Sequence, residues 1–261
     1  MTPALWAAMT GLDAQQTRMS NIANNLSNSA TTGFKSGRVA FEDLLYQNVK
    51  QVGGLSSQQT ELPSGLMLGS GVRVVSTQKL FQQGAIQPTG NQLDVAIEGQ
   101  GFFSVLLPDG TQAFTRDGAF QLNANGDMVT SSGYLLDPPV QIPADATSVT
   151  IGIDGTVSVQ LAGQAAAINQ GNLQVTTFAN PSGLMPRGEN LFVESAASGP
   201  ATPGVPGQAG AGQLRSQALE GSNVNVVEEL VSMIETQRAY EINSRVISAN
   251  DQMLQFLSNN L

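Results

Sequence analysis

The sequence predicts an α+β protein in which both termini form a discontinuous helical stem, with coiled-coil-like spacing, beside an antiparallel all-β head and an extended arm. Residues 3–28 and 225–261 repeat apolar side chains at helical spacing. Short apolar runs separated by turn dipeptides fill most of the middle. Between these regions lies a stretch rich in Gln, Ser and Gly with no strong periodicity. The predicted ranges are 1–32 and 222–261 for the stem, 33–71 for the linking arm and 72–221 for the head.

The N-terminal helix has a clear start and one apolar stripe. Thr2 can cap it, and Pro3 fits the first helical position, where a missing N–H costs no hydrogen bond. Steps of four and three residues from Leu5 reach an apolar residue at six of seven positions, the exception being Gln16. We expect this stripe to be a seam in the stem. Its residues are Leu5, Met9, Leu12, Met19 and Leu26, with Ala23 among them.

The C-terminal helix carries two apolar stripes. It can begin at Asn225, with Glu228 as capping-box partner. One stripe suffices to pair two helices, so a second stripe needs further neighbours. Those neighbours are either the chain's own β domain or other copies, and a helix roughly 50 Å long favours other copies. The seam is Val226, Leu230, Met233, Tyr240, Ile247, Leu254 and Leu261; the second stripe, a candidate contact between subunits, is Ile234, Ile242, Val246, Met253 and Phe256.

Four asparagines stand among and just after the last residues of the first seam. Asn21, Asn24, Asn25 and Asn28 stand at helical spacing on one face. They form either a simple solvated face or a ladder of amides that hydrogen-bond neighbouring subunits. We carry them as candidate inter-subunit residues.

The segments before the head leave their conformation open. Residues 41–46 can form a short helix or a strand, and residues 47–71 are either a flexible linker or an extended arm ordered by other chains. In the head, turn dipeptides at residues 109–110, 117–118 and 125–126 indicate an antiparallel meander. Residues 102–107 indicate a central strand, and the low-complexity residues 196–212 indicate a loop that no core can use.

Composition excludes several classes of function. The net charge is −9 and the pI about 4.4, which disfavours nucleic acid and anionic membranes as partners. There is no cysteine and no histidine, so disulfides, thiolate chemistry and the commonest general base and metal ligand are missing. We expect no catalytic residue, no cofactor, no metal site and no small-molecule substrate.

The remaining acidic and glycine motifs are better explained by local structure. Asp109, Asp117 and Asp127 lack the spacing of an EF-hand and its closing Glu, which favours turns. The run Gly99-Gln-Gly101 lacks the helix and third glycine of a dinucleotide loop, which favours a tight bend. Glu228 and its neighbour complement the dipole of a helix N-terminus.

The N-terminal residues do not look like a targeting segment. Residues 1–20 lack a charged start followed by an apolar core, so we expect no cleaved signal peptide. No apolar run approaches the length of a membrane span. These features indicate a cytosolic chain, unless a dedicated channel exports it.

Several motifs together resemble those of the flagellar rod and hook proteins. The N-terminal signature is residues 23–28, Ala-Asn-Asn-Leu-Ser-Asn, followed by Thr32 with Gly33, Phe34 and Lys35. The C-terminal signature is residues 222–225 and 228–241, including Gln237, Arg238 and Glu241. The middle agrees at residues 94–103 and 114–118, so the resemblance covers essentially the whole chain.

The resemblance implies a structural subunit of a tubular, helical polymer that transmits motor torque to the hook. Residues 41–47 and 62–72 look most like the distal-rod branch; a proximal rod or hook subunit is the alternative within the family, and a secreted β-rich adhesin or a carboxylate-based hydrolase the alternatives outside it. The implied partners are further copies of the chain, the proximal-rod and hook-side axial proteins, the surrounding ring bushing and the type III export apparatus. The implied location is the flagellar basal body, from periplasm to outer membrane.

Overall fold

A computed structural model describes residues 3–50, 55–57, 60–61, 65–163 and 166–259. The chain divides into two compact units, which are considered separately. The helical unit comprises Met1–Leu26, Gly37–Gln78 and Asn225–Leu261. The β unit comprises Ser27–Ser36 and Lys79–Val224. With its helices and antiparallel sheets the protein is α+β, as predicted.

The helical unit contains the two long helices predicted at the chain ends. Helix α1 runs over Pro3–Ser27 and helix α2 over Val226–Asn259. Asn225 caps α2, since its Oδ1 accepts a hydrogen bond from the Val227 N–H at 3.1 Å. Thr2, the predicted cap of α1, and Leu261, the last seam residue, lie outside the described residues. Among the residues that are described, no helix is both long enough and apolar enough to cross a membrane.

The helical unit also contains a ribbon of short paired strands. β2 and β5 are antiparallel, with Gln47 opposite Leu68, and β3 and β4 are antiparallel, with Leu55 opposite Glu61. β1 pairs with β6, and the Leu44 N–H donates to the Gly71 carbonyl at 2.9 Å between the two ladders. Residues 41–43 are therefore strand. The ribbon strands are β1 Gly37–Asp43, β2 Gln47–Lys50, β3 Leu55–Ser57, β4 Thr60–Glu61, β5 Leu66–Leu68 and β6 Val72–Lys79.

The β unit is built on a seven-stranded antiparallel sheet with the order β11-β12-β13-β9-β10-β19-β18. β9 lies at its centre, as residues 102–107 predicted. A three-stranded sheet, β14-β15-β16, and the pairs β17-β20, β21-β8 and β22-β7 complete it. The strands are β7 Ile86–Pro88, β8 Val95–Glu98, β9 Phe103–Leu106, β10 Gln112–Thr115, β11 Phe120–Leu122, β12 Met128–Thr130, β13 Leu135–Leu136, β14 Ala146–Ile151, β15 Thr156–Leu161, β16 Ile168–Asn172, β17 Val175–Thr177, β18 Met185–Gly188, β19 Leu191–Val193, β20 Thr202–Gly204, β21 Gln213–Ser216 and β22 Ala218–Glu220.

The large apolar side chains of these strands form the core of the β unit. Val95, Ile97 and Phe103 are at most 1 % exposed and belong to the largest cluster. A second cluster is aromatic, and the Phe114 and Phe178 rings meet edge to face with centroids 4.8 Å apart. The β unit thus has an extensive apolar core of its own, although Ile153 and Met185 are exposed.

The predicted turns are present, but one of them is not a hairpin. Residues 109–110 join the adjacent strands β9 and β10, and residues 125–126 join β11 and β12. Residues 117–118 instead link β10 to β11, which are not neighbours in the sheet, so the predicted simple meander is wrong there. Gly118 is needed at this point because a Cβ would lie 1.7 Å from the Val95 carbonyl oxygen.

The low-complexity residues 196–212 also differ from the prediction. Ser198 is fully buried, β20 within this segment pairs with β17, and Ala211 packs against the largest core cluster. The segment contributes to the core because its small residues allow close approach: a Cβ on Gly212 would lie 2.7 Å from the Glu98 carbonyl oxygen. The prediction that no core could use it is wrong.

The two compact units do not follow the ranges predicted from sequence. Residues 33–36, predicted to begin the arm, belong to the β unit, and residues 72–78, predicted to begin the head, belong to the helical unit. The reason is that β6 completes the ribbon, whereas residues 33–36 are buried among the strands of the β unit.

Candidate assembly interface

Helices α1 and α2 run antiparallel and contact each other at two described points. The Asn25 Nδ2 donates to Glu229 Oε1 at 2.8 Å, and a Cβ on Gly11 would lie 3.1 Å from Asn243 Nδ2. The two contacts are 14 residues apart on each helix, in opposite directions along the chain. At 1.5 Å per residue, they fix the pairing over about 21 Å.

The most deeply buried residues of the two helices are mostly small or polar. On α1, Ala8, Ala14 and Ile22 are buried, with exposures of 4–7 %. On α2, Thr236 is 1 % exposed, and its Oγ1 donates back to the Ser232 carbonyl at 2.6 Å. Except for Ile22, these side chains each bury little apolar area.

The large apolar residues of α2 are mostly exposed. Val227 is 68 % exposed, Ile242 is 61 % exposed and Phe256 is 70 % exposed. Exposed apolar patches of this extent mark interaction surfaces. We call this set of large exposed apolar residues the outer face of α2; it comprises Val226, Val227, Leu230, Val231, Ile234, Tyr240, Ile242, Val246, Met253, Leu254 and Phe256.

The predicted seam residues are divided between half-buried and exposed positions. Half-buried positions are Leu5, Leu12, Met19, Leu26, Met233 and Ile247. Largely exposed positions are Met9, Val226, Leu230, Tyr240 and Leu254. All members of the second predicted stripe, Ile234, Ile242, Val246, Met253 and Phe256, are exposed. Within one chain, therefore, five seam positions and the whole second stripe are left exposed.

The four asparagines of α1 differ in their surroundings. Asn25 is buried: its Oδ1 accepts from the Gly37 N–H at 2.8 Å, and its Nδ2 donates to the Gly37 carbonyl at 2.9 Å as well as to Glu229. Its amide thus joins helix, ribbon and helix within one chain. Asn24 is exposed, and Asn21 and Asn28 are half-buried.

The ribbon presents a second exposed apolar surface. Leu45 is 91 % exposed, Tyr46 is 58 % exposed and Met67 is 49 % exposed. The base of the ribbon is held against α1, since a Cβ on Gly71 would lie 2.2 Å from Thr10 Oγ1. A two-stranded ribbon is marginal by itself in water, so exposed apolar residues on it indicate a contact surface.

In the β unit, the chain segment that follows α1 is fastened to the segment that precedes α2. The Gly33 N–H donates to the Glu220 carbonyl at 2.8 Å, and the Ser36 N–H donates to Asn223 Oδ1 at 2.7 Å. The Asn223 Nδ2 also donates to the Leu80 carbonyl at 2.8 Å. Two stretches nearly two hundred residues apart in sequence are thereby held side by side.

A buried ion cluster reinforces this junction. Lys35 Nζ lies 2.6 Å from Glu220 Oε1, and Arg116 Nη1 lies 3.2 Å from Glu220 Oε2. The side chains of Lys35 and Glu220 have no exposed surface, and that of Arg116 is 3 % exposed. We call Lys35, Arg116 and Glu220 the clasp.

The clasp has two positive charges and one negative charge, and backbone groups compensate the difference. Lys35 Nζ donates to the Gln82 carbonyl at 2.7 Å, and Arg116 donates to the carbonyls of Ile97 and Gly99. The Glu220 carboxylate also accepts from the Gly84 N–H. Burial lowers the pKa of the Lys35 amine from its usual range, and the charge of Glu220 opposes that shift. Removing Glu220 would leave two buried positive charges without a counter-ion, whereas removing Lys35 or Arg116 would leave Glu220 with one of its two partners.

The acidic turns and one groove of the β unit are explained by local structure. Asp109 accepts from the Thr111 N–H, and Asp117 accepts from the Ala119 N–H, as in turns. A groove of about 610 Å³ is lined by amides such as Gln92, Asn123 and Gln141, which bond to nearby backbone or side-chain groups. The glycines of residues 99–101 have φ of +115° and +131°, the tight bend that was predicted.

Comparison with known proteins identifies the family. Three family models match: "Flagella basal body rod protein" at residues 5–35, "Flagellar hook protein FlgE/F/G D1 domain" at 96–159 and "Flagellar basal body rod FlgEFG protein C-terminal" at 215–261. The flagellar basal-body rod protein FlgG of Buchnera aphidicola subsp. Schizaphis graminum is 54 % identical over 99 % of both chains. FlgG of Borreliella burgdorferi is 47 % identical over 99 % of this chain and 98 % of its own, and FlgG of Bacillus subtilis is 38 % identical over 99 % of both.

The chain belongs to the FlgG family of flagellar basal-body rod proteins. The predicted resemblance is confirmed, and the chain is a structural subunit of the flagellar rod, located in the basal body. Each residue of the clasp falls in a different one of the three matched regions. Of the motif residues, Gly33, Phe34 and Lys35 are buried in the β unit, whereas Gln237, Arg238 and Glu241 are exposed on α2.

Sequence reasoning identified Lys35 as a motif residue of this rod family but did not find its partners. Arg116 stands in the motif at residues 114–118, and Glu220 precedes the motif at residues 222–225. Two charged residues inside motifs and a third just before one, in a chain with only 12 % charged residues, were the available signal. Their mutual distance could not be read from one sequence.

Proposed function

We propose that the chain is a subunit of the distal rod, a tubular helical polymer that transmits torque from the motor to the hook. On this proposal the terminal helices form its core through coiled-coil-like contacts between copies. The predicted ranges then describe the assembled state: 1–32 and 222–261 as core stem, 33–71 as arm and 72–221 as head. The role is structural and requires no catalysis.

One observation carries the proposal: α2 leaves most of its large apolar residues on the outer face, whereas its described contacts with α1 are made by Glu229 and Asn243. Burying one such side chain contributes about 1.5–3 kcal/mol. Ile234, Ile242 and Val246, spaced along the same helix, are 42–61 % exposed. Copies that cover the outer face would therefore supply further stabilisation.

The ribbon fits the predicted arm. Its exposed apolar residues, among them Leu45 and Met67, would lie against neighbouring copies and stiffen the tube. Asn21, Asn24 and Asn28 remain candidates for hydrogen bonds between subunits. Asn25 remains a candidate as well; its amide also bonds within the chain, as does Asn28 Oδ1, which accepts from Thr31 Oγ1 at 3.2 Å.

The remaining partners follow from the location of a rod. A distal rod subunit would meet the proximal-rod and hook-side axial proteins at its two ends and the ring bushing around it. A charge of −9, with few charged side chains overall, suits a shaft that turns without strong adhesion. Export through the flagellar type III channel would deliver the chain across the inner membrane into the periplasm, and a chain without cysteine cannot form disulfides there.

The proposal is tested by adding a charge to the outer face. Ile242→Asp should abolish polymerisation, because the outer face would then bury an unpaired carboxylate between copies. It should leave the monomer folded, since Ile242 is 61 % exposed. Polymerisation is measured by pelleting and electron microscopy, and monomer folding by circular dichroism.

Gln121→Asp is the matched control, because it adds the same charge at an exposed position of β11, in the β unit rather than on α2. It should polymerise like the unmodified chain. Equal polymerisation of both variants would contradict the proposal. Ile242 is a sharper target than Met233, which is half-buried and would also perturb the monomer.

A further inference from the structure

The clasp occupies a special place in the path of the chain. Lys35 lies eight residues beyond the end of α1, and Glu220 lies six residues before the start of α2. In the sequence, the ribbon and residues 79–219 of the β unit lie between Lys35 and Glu220. A force applied to the two helices and transmitted along the chain therefore acts on residues 33–36 and 220–223 before it acts on the rest of the β unit.

Several short, buried interactions hold these two segments together. It combines two buried charge-assisted contacts, at 2.6 and 3.2 Å, with backbone hydrogen bonds from Gly33 and to Phe34. Lys79 adds to it: its Nζ donates to the Lys35 carbonyl at 2.9 Å and lies 4.3 Å from the centroid of the Phe34 ring. Gly33 permits the close approach, since its φ is +67° and a Cβ would lie 2.6 Å from the Asp117 nitrogen.

We propose that the clasp is a mechanical closure, which carries force between the two helix-bearing ends of the chain and keeps it out of the β sheets. The significance of this closure rests on the proposed torque-bearing role. The closure itself is a property of one chain, so a chain that failed to polymerise could still show it.

Pulling on single molecules of the full chain tests the closure. Cysteines introduced at Ser20 and Glu235, exposed on α1 and α2, would be the only thiols and can carry the handles. The helical segments should extend first, leaving an intermediate in which the β unit is still closed. Rupture of the clasp should then release the roughly 185 residues between Lys35 and Glu220, about 650 Å of extended chain.

Lys35→Met should raise the rate at which the intermediate ruptures, at fixed force, by about a hundredfold, since the substitution leaves Glu220 with only part of its compensation. Arg187→Met is the matched control, because it breaks the exposed pair between Arg187 and Asp109 in the same unit. The control should rupture like the parent chain.

Two results would overturn the proposal. One is equal rupture rates for Lys35→Met and Arg187→Met. The other is release of the β unit in the parent chain without a closed intermediate. Pulling on the parent chain needs no clasp variant, so it tests the proposed closure even if Lys35→Met does not fold.

Discussion

The β unit and the helical unit treat their apolar residues in opposite ways. In the β unit, Val95, Ile97 and Phe103 have at most 1 % of their surface exposed. In the helical unit, Val227, Ile242 and Phe256 have 61–70 % exposed. Both units are folded by the same physical effect, but the β unit has an extensive buried core, whereas the helical unit leaves most of the large apolar residues of α2 exposed. On the proposed function, the exposed set is the part of the subunit that its neighbours would cover.

The difference in burial between the two units is tested most directly by truncating one apolar side chain in each unit. Phe103→Ala should lower the free energy of unfolding of the β unit by about 3–5 kcal/mol, because it removes a buried ring and leaves a cavity. Ile242→Ala should change the free energy of unfolding of the monomer by less than about 0.5 kcal/mol. Urea denaturation followed by fluorescence and circular dichroism measures both. Similar losses for the two variants would show that the outer face is already covered in the monomer.

A smaller effect is expected at the helix pair. Gly11→Leu places a bulky side chain where even a Cβ would lie 3.1 Å from Asn243 Nδ2, at a cost of about 1–3 kcal/mol. Amide hydrogen exchange in α1 and α2 should accelerate, while exchange in β9 and β10 stays unchanged, because the two units are separately packed. Gly11→Ala serves as control, since its higher helix propensity offsets the tight contact. Accelerated exchange in β9 would contradict the separation of the units.

The smallest expected effect is a pH dependence inside the β unit. Burial raises the pKa of the Asp117 carboxyl above its ordinary value of 3.8. The folded state therefore binds this proton more tightly than the unfolded state, and the cost of the buried charge is present at neutral pH and disappears as the pH falls through the folded pKa. Asp117→Asn keeps the acceptor for the Ala119 N–H and removes the charge.

Asp117→Asn should thus be more stable than the parent chain at pH 7, and the difference should shrink as the pH approaches 3.8. Thermal unfolding at a series of pH values measures it. A stability difference that grows on acidification would show the opposite sign of the pKa shift.

Local sequence signals predicted the elements well. Both long helices, the central strand β9, the cap at Asn225 and the bend between Gly99 and Gly101 were all predicted from propensity, capping and turn chemistry, which act over a few residues. Residues 196–212 were mispredicted because small residues were equated with exposure. In the structure the same residues allow close packing against the core.

The candidate interface was harder to predict, for two physical reasons. Several stripes on a helix share the same 3.6-residue period, so the spacing of Leu230 or Ile242 cannot tell which stripe faces α1 and which faces outward. The partner of Lys35 depends on how strands far apart in sequence come together, and no local rule relates residue 35 to residues 116 and 220. The apolar seam was predicted as an assembly contact, and a single chain shelters only part of it: Met19 and Met233 are half-buried, whereas Leu230 and Leu254 are exposed.

The paired ladders of the ribbon have a consequence for how such subunits can diversify. Each strand residue advances a ribbon by about 3.3 Å, and removal of one residue from each strand leaves the remaining pairs opposite each other. Matched deletions in β2 and β5 would therefore shorten the ribbon stepwise without touching α1, α2 or the β unit. Evolution or engineering can therefore change the length of the ribbon without changing the rest of the subunit. Each step is set by the rise of the backbone per strand residue.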